Sequence, residues 1–162
     1  MLYVFSGLPG TGKSTLAAAL AQARNALYLR VDTIEQALKN STGHKIGPEI
    51  AYVLAAENLG LGTDVVADSV NPLEVTRAAW RQTAVNSKCA FRELEIICSD
   101  TEEHRRRIET RKATVKGLKL PTWQQVVARE YDKWDGNPIV IDTARETTEQ
   151  SIHKMLDVLG FS

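Results

Sequence analysis

Short apolar runs rich in β-branched residues alternate along the chain with longer stretches whose apolar positions recur at helical spacing. The runs are LYVF at 2–5, ALYLRV at 26–31, DVVA at 64–67, ELEIIC at 93–98 and PIVI at 138–141. Runs this short suit strands, and strands alternating with helical segments are the rhythm of an α/β fold built on a parallel sheet. The stretches between them predict helices over 13–24, 33–40, 48–61, 73–88, 101–112, 122–134 and 147–159. In the last of these, Thr148, Ile152, Met155, Leu156 and Leu159 share a face, which therefore packs on the sheet. Asp32 with Glu35, Asn71 with Glu74, Asp100 with Glu103, Thr122 with Gln125 and Thr147 with Gln150 have capping spacing. In such pairs two side chains satisfy free amides at a helix start. The stretches 41–47 and 114–121 carry no element pattern and read as loops of the kind on which function concentrates.

Composition narrows the field. The 162 residues are expected to form one domain, 1–162. Lys and Arg number 20 and so do Asp and Glu, which leaves no global electrostatic footprint for nucleic acid or an anionic membrane. A charged partner must be met by a local patch. Cys89 and Cys98 form neither a disulfide framework nor a metal-ligand spacing, and read as buried free thiols. No apolar stretch approaches the roughly 20 residues that span a bilayer, and MLYVFSGLPG lacks a basic leader region. A cytoplasmic protein without a membrane partner is expected, as a monomer or a weak dimer.

One stretch carries chemistry of its own. Gly7-Leu8-Pro9-Gly10-Thr11-Gly12-Lys13-Ser14 follows the first strand run and opens an alanine-rich helix. It fits the pattern G-x-x-x-x-G-K-[ST] in the strand-to-helix setting that the pattern requires. The glycines let successive backbone N–H groups turn inward as a nest for an anion, at which the positive end of the helix dipole also points. Lys13 is then placed to reach the β- and γ-phosphates of ATP, and the Ser14 hydroxyl to ligate Mg²⁺. Thr15 helps to position the α-phosphate end.

In a parallel sheet, ligands bind outside the carboxyl ends of the strands, so the residues found there converge. Asp32 is either a general base or orienting group for an acceptor hydroxyl, or the N-cap of the helix from Thr33. Asp68 is placed either to hold Mg²⁺ through water or an arginine, or to serve as a turn residue. Asn71 reads as a cap first and a substrate contact second. On the following helix Arg77 is a candidate anion contact and Trp80 a core residue. Asp100 and Asp142 read as cap or turn residues. Between His104 and Lys119 lie Arg105, Arg106, Arg107, Arg111, Lys112, Lys116 and Lys119 against a single acid, Glu109. Arg107 and Arg111 are four apart and share a helix face, suited to gripping a triphosphate and stabilising transition-state charge. The region of about 104–134 would then be a closing lid. His44, His104 and His153 have no ligand spacing and read as surface or local packing residues.

The loop GLPGTGKSTLA, the strand-end acid in RVD, VVADSVNP followed by RAAW, and the helix bearing Arg107 and Arg111 together resemble a known family. It is the small AAA-type P-loop kinases of the polynucleotide kinase and zeta-toxin-like group, and the resemblance runs from Met1 to about Trp134. It implies a three-layer P-loop kinase fold: a parallel five-stranded sheet in the order 2-3-1-4-5, helices on both faces and a small lid. It also implies ATP with Mg²⁺, Lys13 and Ser14 at the triphosphate, Asp32 as catalytic base, Asp68 in support, and Arg107 with Arg111 in the lid. The implied activity is transfer of the γ-phosphoryl group to a hydroxyl of a small metabolite, an antibiotic, a nucleoside or a nucleic-acid 5′ end. Glu35 departs from the family, whose polynucleotide kinases place an arginine there for the acceptor nucleotide's phosphate. A carboxylate repels that phosphate, which disfavours a nucleic-acid acceptor. The alternatives are a nucleotide-hydrolysing switch or an ATP-sensing module. Against the switch, no NKxD guanine signature occurs, and Asp68 is followed by Ser69 rather than by a glutamate that would activate water. A sensor would leave Asp32 and the lid unexplained.

Overall fold

The structure is a computed structural model that describes residues 1–44 and 47–161. Its elements in chain order are β1 (Leu2–Ser6), α1 (Lys13–Arg24), β2 (Leu27–Arg30), α2 (Val31–Thr42), α3 (Glu49–Gly60), β3 (Val65–Asp68), α4 (Glu74–Asn86), β4 (Phe91–Ile97), α5 (Thr101–Thr110), α6 (Trp123–Val127), β5 (Ile139–Asp142) and α7 (Thr148–Leu159). All strand pairings are parallel, and the order is β2-β3-β1-β4-β5, as the family resemblance implies. Lys45 and Ile46, within the stretch 41–47, lie outside the described residues.

Successive side chains of a strand point to opposite faces, so a strand covered on both sides must be apolar at every position. β1 meets that demand from Leu2 to Phe5, all buried, and ends in the buried Ser6. Leu2 and Val4 enter one core cluster with Leu29, Ala51, Ala55, Val65 and Trp80, under α3 and α4. Tyr3 and Phe5 enter the other with Leu16, Leu20, Leu94, Ile96 and Met155, under α1 and α7. Each large apolar side chain buried fully in these layers contributes about 1.5–3 kcal/mol.

Three helix starts follow the sequence pattern. Thr122 with Gln125 and Thr147 with Gln150 form reciprocal capping boxes, and Asp100 accepts from the Glu103 amide. Two starts do not. α2 begins at Val31 with Arg30 at the N-cap and no side-chain cap bond, so Asp32 lies in the first turn instead of capping it. Asn71 does not cap α4, whose N-cap is Leu73. Asn71 stands at φ 44°, donates to the Phe5 carbonyl at 3.0 Å and accepts from the Trp80 indole at 3.1 Å.

The helix expected over 122–134 ends at Val127. The residues beyond it are captured by α4. Arg77 donates to the carbonyls of Asp132 at 3.0 Å and Lys133 at 3.3 Å, and the Asp132 carboxylate accepts from the Glu74 amide at 2.7 Å. The Asp132 amide, which a continued helix would direct at the Ala128 carbonyl, donates instead to the Pro72 carbonyl at 2.8 Å. The sequence pattern cannot register such a competitor.

Candidate active site

The loop between β1 and α1 is shaped by contacts from three other elements. A Cβ at Gly7, φ +144°, would collide with the Ile96 carbonyl, so the chain passes β4 only because no side chain is there. Gly12 takes φ 91° as the N-cap of α1. Thr11, buried, donates its hydroxyl to the Leu8 carbonyl at 3.0 Å. The Thr143 hydroxyl bonds the Thr11 carbonyl at 2.8 Å, and His104 Nε2 lies 2.8 Å from the Pro9 carbonyl. With its carbonyls held outward, the loop presents the amides of Gly10, Gly12, Lys13 and Ser14, which donate to no protein acceptor among the described residues. That is a concave set of donors at a helix N-terminus, matched to an anion.

Beside the loop, on the adjacent strand β3, Asp68 is 1% exposed and ion-paired with the Lys13 ammonium. Tyr28 donates its hydroxyl to the other Asp68 oxygen at 2.7 Å, and Arg30 Nε lies 3.8 Å from that oxygen. Burial opposes ionisation of Asp68, but the charge of Lys13 and hydrogen bonds from Lys13, Ser14 and Tyr28 outweigh it and hold the carboxyl below its ordinary range. Burial, and then the charge of Asp68, push the Tyr28 phenol upward, so it stays a donor.

Across the loop, Arg107 donates to the Thr143 hydroxyl at 2.8 Å, to the Thr143 carbonyl at 2.9 Å and to Glu103 at 2.6 Å. Arg111 follows α5 as its C-cap residue. Burial lowers its pKa, Asp32 opposes that shift and Arg30 adds to it, so the three charged groups lie within electrostatic reach of one another. Together these parts enclose a cavity of about 580 Å³, lined by the loop, Lys13, Ser14, Thr15, Tyr28, Arg30, Asp32, Arg107, Arg111 and the segment from Leu118 to Pro121 with Arg129. A smaller cavity of about 210 Å³ adjoins it through Gly10, Gly12, Thr15 and Arg107, and runs between Thr143 and the start of α7.

Of the residues expected at a site, Leu8, Pro9, Gly10, Gly12, Lys13, Ser14, Thr15, Asp32, Arg107 and Arg111 line the larger cavity. Gly7 and Thr11 shape the loop from behind, and Asp68 sits beneath Lys13. Three expectations need correction. Arg77 is not an anion contact: it is fully buried, bonds the carbonyls of Asn71, Pro72, Asp132 and Lys133, and stacks on Trp134 at 4.1 Å. Asn71 is buried and occupied by Phe5 and Trp80. Glu35 does not line the cavity. Burial first, then the charges of Glu49 and Glu35, push the Tyr52 phenol of α3 up to about 12, so the Glu35 carboxylate lies within electrostatic reach of α3.

Sequence reasoning passed over Tyr28, Arg30 and Arg129. Tyr28 and Arg30 had a signal, being polar residues two apart, hence on one face, in an otherwise apolar strand run. Thr143 was legible as a residue just after the fifth strand, where ligands bind, but its contacts with Thr11 and Arg107, far away in sequence, were not. His104 is buried in local packing, edge-on to Trp123 with ring centroids 5.3 Å apart. Cys98 is buried at the end of β4, and that burial raises its thiol pKa. Cys89 is half-buried.

Known proteins bear on this geometry. The family model of an AAA domain matches residues 2–130. No curated protein matches the chain. A sugar kinase from Janibacter sp. HTCC2649 superposes with a TM-score of 0.70 at 16% identity, covering 99% of this chain and 95% of that one. For a gluconokinase from Sinorhizobium meliloti 1021 the TM-score is 0.69 at 17% identity, with 98% and 90% covered. For the APS kinase of Mycobacterium tuberculosis, in complex with AMPPNP and APS, it is 0.65 at 18% identity, with 98% and 96% covered. At these identities the likeness is one of fold.

Proposed function

The chain belongs to that AAA-domain family, and we propose that it is a kinase that transfers the γ-phosphoryl group of ATP to the hydroxyl of a small acceptor. The observation that carries this reading is the convergence of the loop, Lys13, Asp32, Arg107 and Arg111 on one cavity of about 580 Å³. Phosphoryl transfer asks a protein mainly to position two reactants in line and to neutralise charge spread over the phosphate oxygens. The unpaired loop amides and Lys13 suit the phosphate chain. Lys13 would exchange the Asp68 carboxylate for phosphate oxygens, and Asp68 would remain bonded to Tyr28. Thr15 borders both cavities, as a residue at the α-phosphate should, and the 210 Å³ cavity beyond it suits the nucleoside end.

The hydroxyl of Ser14 and the carboxylate of Asp68 converge closely enough to hydrogen-bond, an all-oxygen donor pair that fits a hard divalent cation. Among the described residues no group of three or more His, Cys, Asp or Glu could hold a metal, so Mg²⁺ would be shared between this pair and phosphate oxygens. Bound there, it would neutralise charge on the β- and γ-phosphates. Among the described residues Asp32 is the only carboxylate that lines the cavity, which suits it to orient the acceptor hydroxyl and receive its proton. Arg107, fixed by Thr143 and Glu103, and Arg111, facing Asp32, would stabilise the charge that develops between them.

The test is ADP formation from ATP with and without hydroxyl-bearing acceptors. Turnover that depends on an acceptor supports a kinase. Equal hydrolysis without any acceptor would assign a hydrolysing switch, and tight ATP binding with no turnover under either condition a sensor.

A further inference from the structure

We propose that the acceptor is itself an anion, a small hydroxyl compound that carries a carboxylate or a phosphate, and that Arg30 recognises its charged group. This rests on the kinase reading and adds the charge of the substrate. Among the described residues seven basic side chains line the cavity, Lys13, Arg30, Arg107 and Arg111 with the exposed Lys112, Lys119 and Arg129, against the single lining carboxylate Asp32. Glu103 neutralises Arg107, and Asp68 neutralises Lys13. Among the described residues Arg111, Lys112, Lys119 and Arg129 have no ion-pair partner. The whole chain is neutral, so this surplus is local to the cavity. A magnesium-bound triphosphate keeps too little negative charge to balance it.

The position of Arg30 assigns part of the surplus to the acceptor. It ends β2, which lies two strands away from the phosphate loop, roughly 10 Å at ordinary strand spacing. Asp32 lies two residues on, in the first turn of α2, so Arg30 stands on the side of the proposed base. Its guanidinium has five N–H donors and makes one hydrogen bond, from Nη1 to the Thr114 hydroxyl of the lid segment at 2.9 Å. Its Nε is buried with no hydrogen-bond partner. Asp68 does not require it, since that carboxylate already accepts from Lys13 and Tyr28 and lies 3.8 Å from Arg30. A planar guanidinium with spare donors, beside a base and under a lid, fits a carboxylate or phosphate by paired hydrogen bonds.

The experiment titrates protein saturated with AMPPNP and Mg²⁺ with matched pairs by calorimetry: gluconate against glucose, and glycerate or glycerol 3-phosphate against glycerol. A 5′-hydroxyl oligonucleotide is the further arm. At least one anion should bind about tenfold or more tightly than its parent, a difference of about 1.4 kcal/mol. Arg30→Gln should abolish that preference and Arg30→Lys restore part of it, with AMPPNP binding reporting that each variant is folded. Carboxylate and phosphate are told apart by which pair discriminates. The proposal is overturned if no anion outbinds its parent, if the preference survives Arg30→Gln, or if only the oligonucleotide shows Arg30-dependent binding. ATP turnover with the same compounds separates the two readings. An anion that binds through Arg30 without yielding ADP would sink the transfer reaction and leave the anion site standing, whereas turnover of a neutral alcohol with no anion preference would do the reverse.

Discussion

The buried pair of Lys13 and Asp68 lies at the centre of the site and can be weighed by a double-mutant cycle of Lys13→Met and Asp68→Asn. Removing one member of a buried pair leaves the other charged and unpaired, at a cost of about 3–5 kcal/mol when neither can reach water. The two positions differ in that respect. Asp68 is 1% exposed, so after Lys13→Met it keeps only the hydroxyls of Ser14 and Tyr28 and the distant Arg30, and a loss of about 3 kcal/mol is expected. Lys13 is 7% exposed and borders the cavity, so after Asp68→Asn its flexible stem can carry the ammonium to water, and about 2 kcal/mol is expected. The double variant leaves no charge stranded and should cost about 2 kcal/mol rather than the sum of the singles.

Thermal and urea unfolding without nucleotide read these differences, and the Lys13→Met loss should lower Tm by about 6–12 °C in a domain of this size. Acid supplies a second readout. The folded-state pKa of Asp68 lies below its ordinary value of 3.8, so the stability from its ionisation is full above that value and is lost as pH falls through the folded pKa. Wild type and Asp68→Asn should therefore converge in stability as the medium is acidified below that range. Singles that add to the double within about 0.5 kcal/mol would show that the two groups are uncoupled and would remove the pair from the account.

Other residues give sharper functional outcomes. Asp32→Asn should lower kcat while sparing ATP affinity, since Asp32 touches the cavity but makes no cap bond; unchanged turnover would leave it a helix first-turn residue only. Thr143→Val removes one partner from the Thr11 carbonyl and one from Arg107, and should weaken ATP binding about tenfold, or about 1.4 kcal/mol, by calorimetry. An affinity within twofold of wild type would mean that the loop holds its shape without this hydroxyl. Arg77→Met should destabilise the fold by about 3–5 kcal/mol, because four carbonyls lose a buried charged donor, while the folded fraction binds ATP normally. Loss of ATP affinity with stability intact would return Arg77 to the site.

The sequence by itself determined what depends on neighbours along the chain. The strand-loop-helix of residues 2–24, the apolar runs that must be strands, and the cap boxes at Thr122 and Thr147 are local agreements between side chain and backbone, and all stand where the pattern puts them. Sheet order made the ends of β1, β2 and β3 adjacent, so Lys13, Asp32 and Asp68 converge although 55 positions separate the first from the last. What only the tertiary structure decided was which polar residues were already engaged. Arg77 reads on paper as a free cation and is instead consumed by the carbonyls of Asn71, Pro72, Asp132 and Lys133. Glu35 does not line the cavity, while Arg30, unnoticed inside an apolar run, lines it with donors to spare. A side chain's chemistry is written in the sequence, but whether that chemistry is available is set by partners brought together only when the sheet closes and its helices pack.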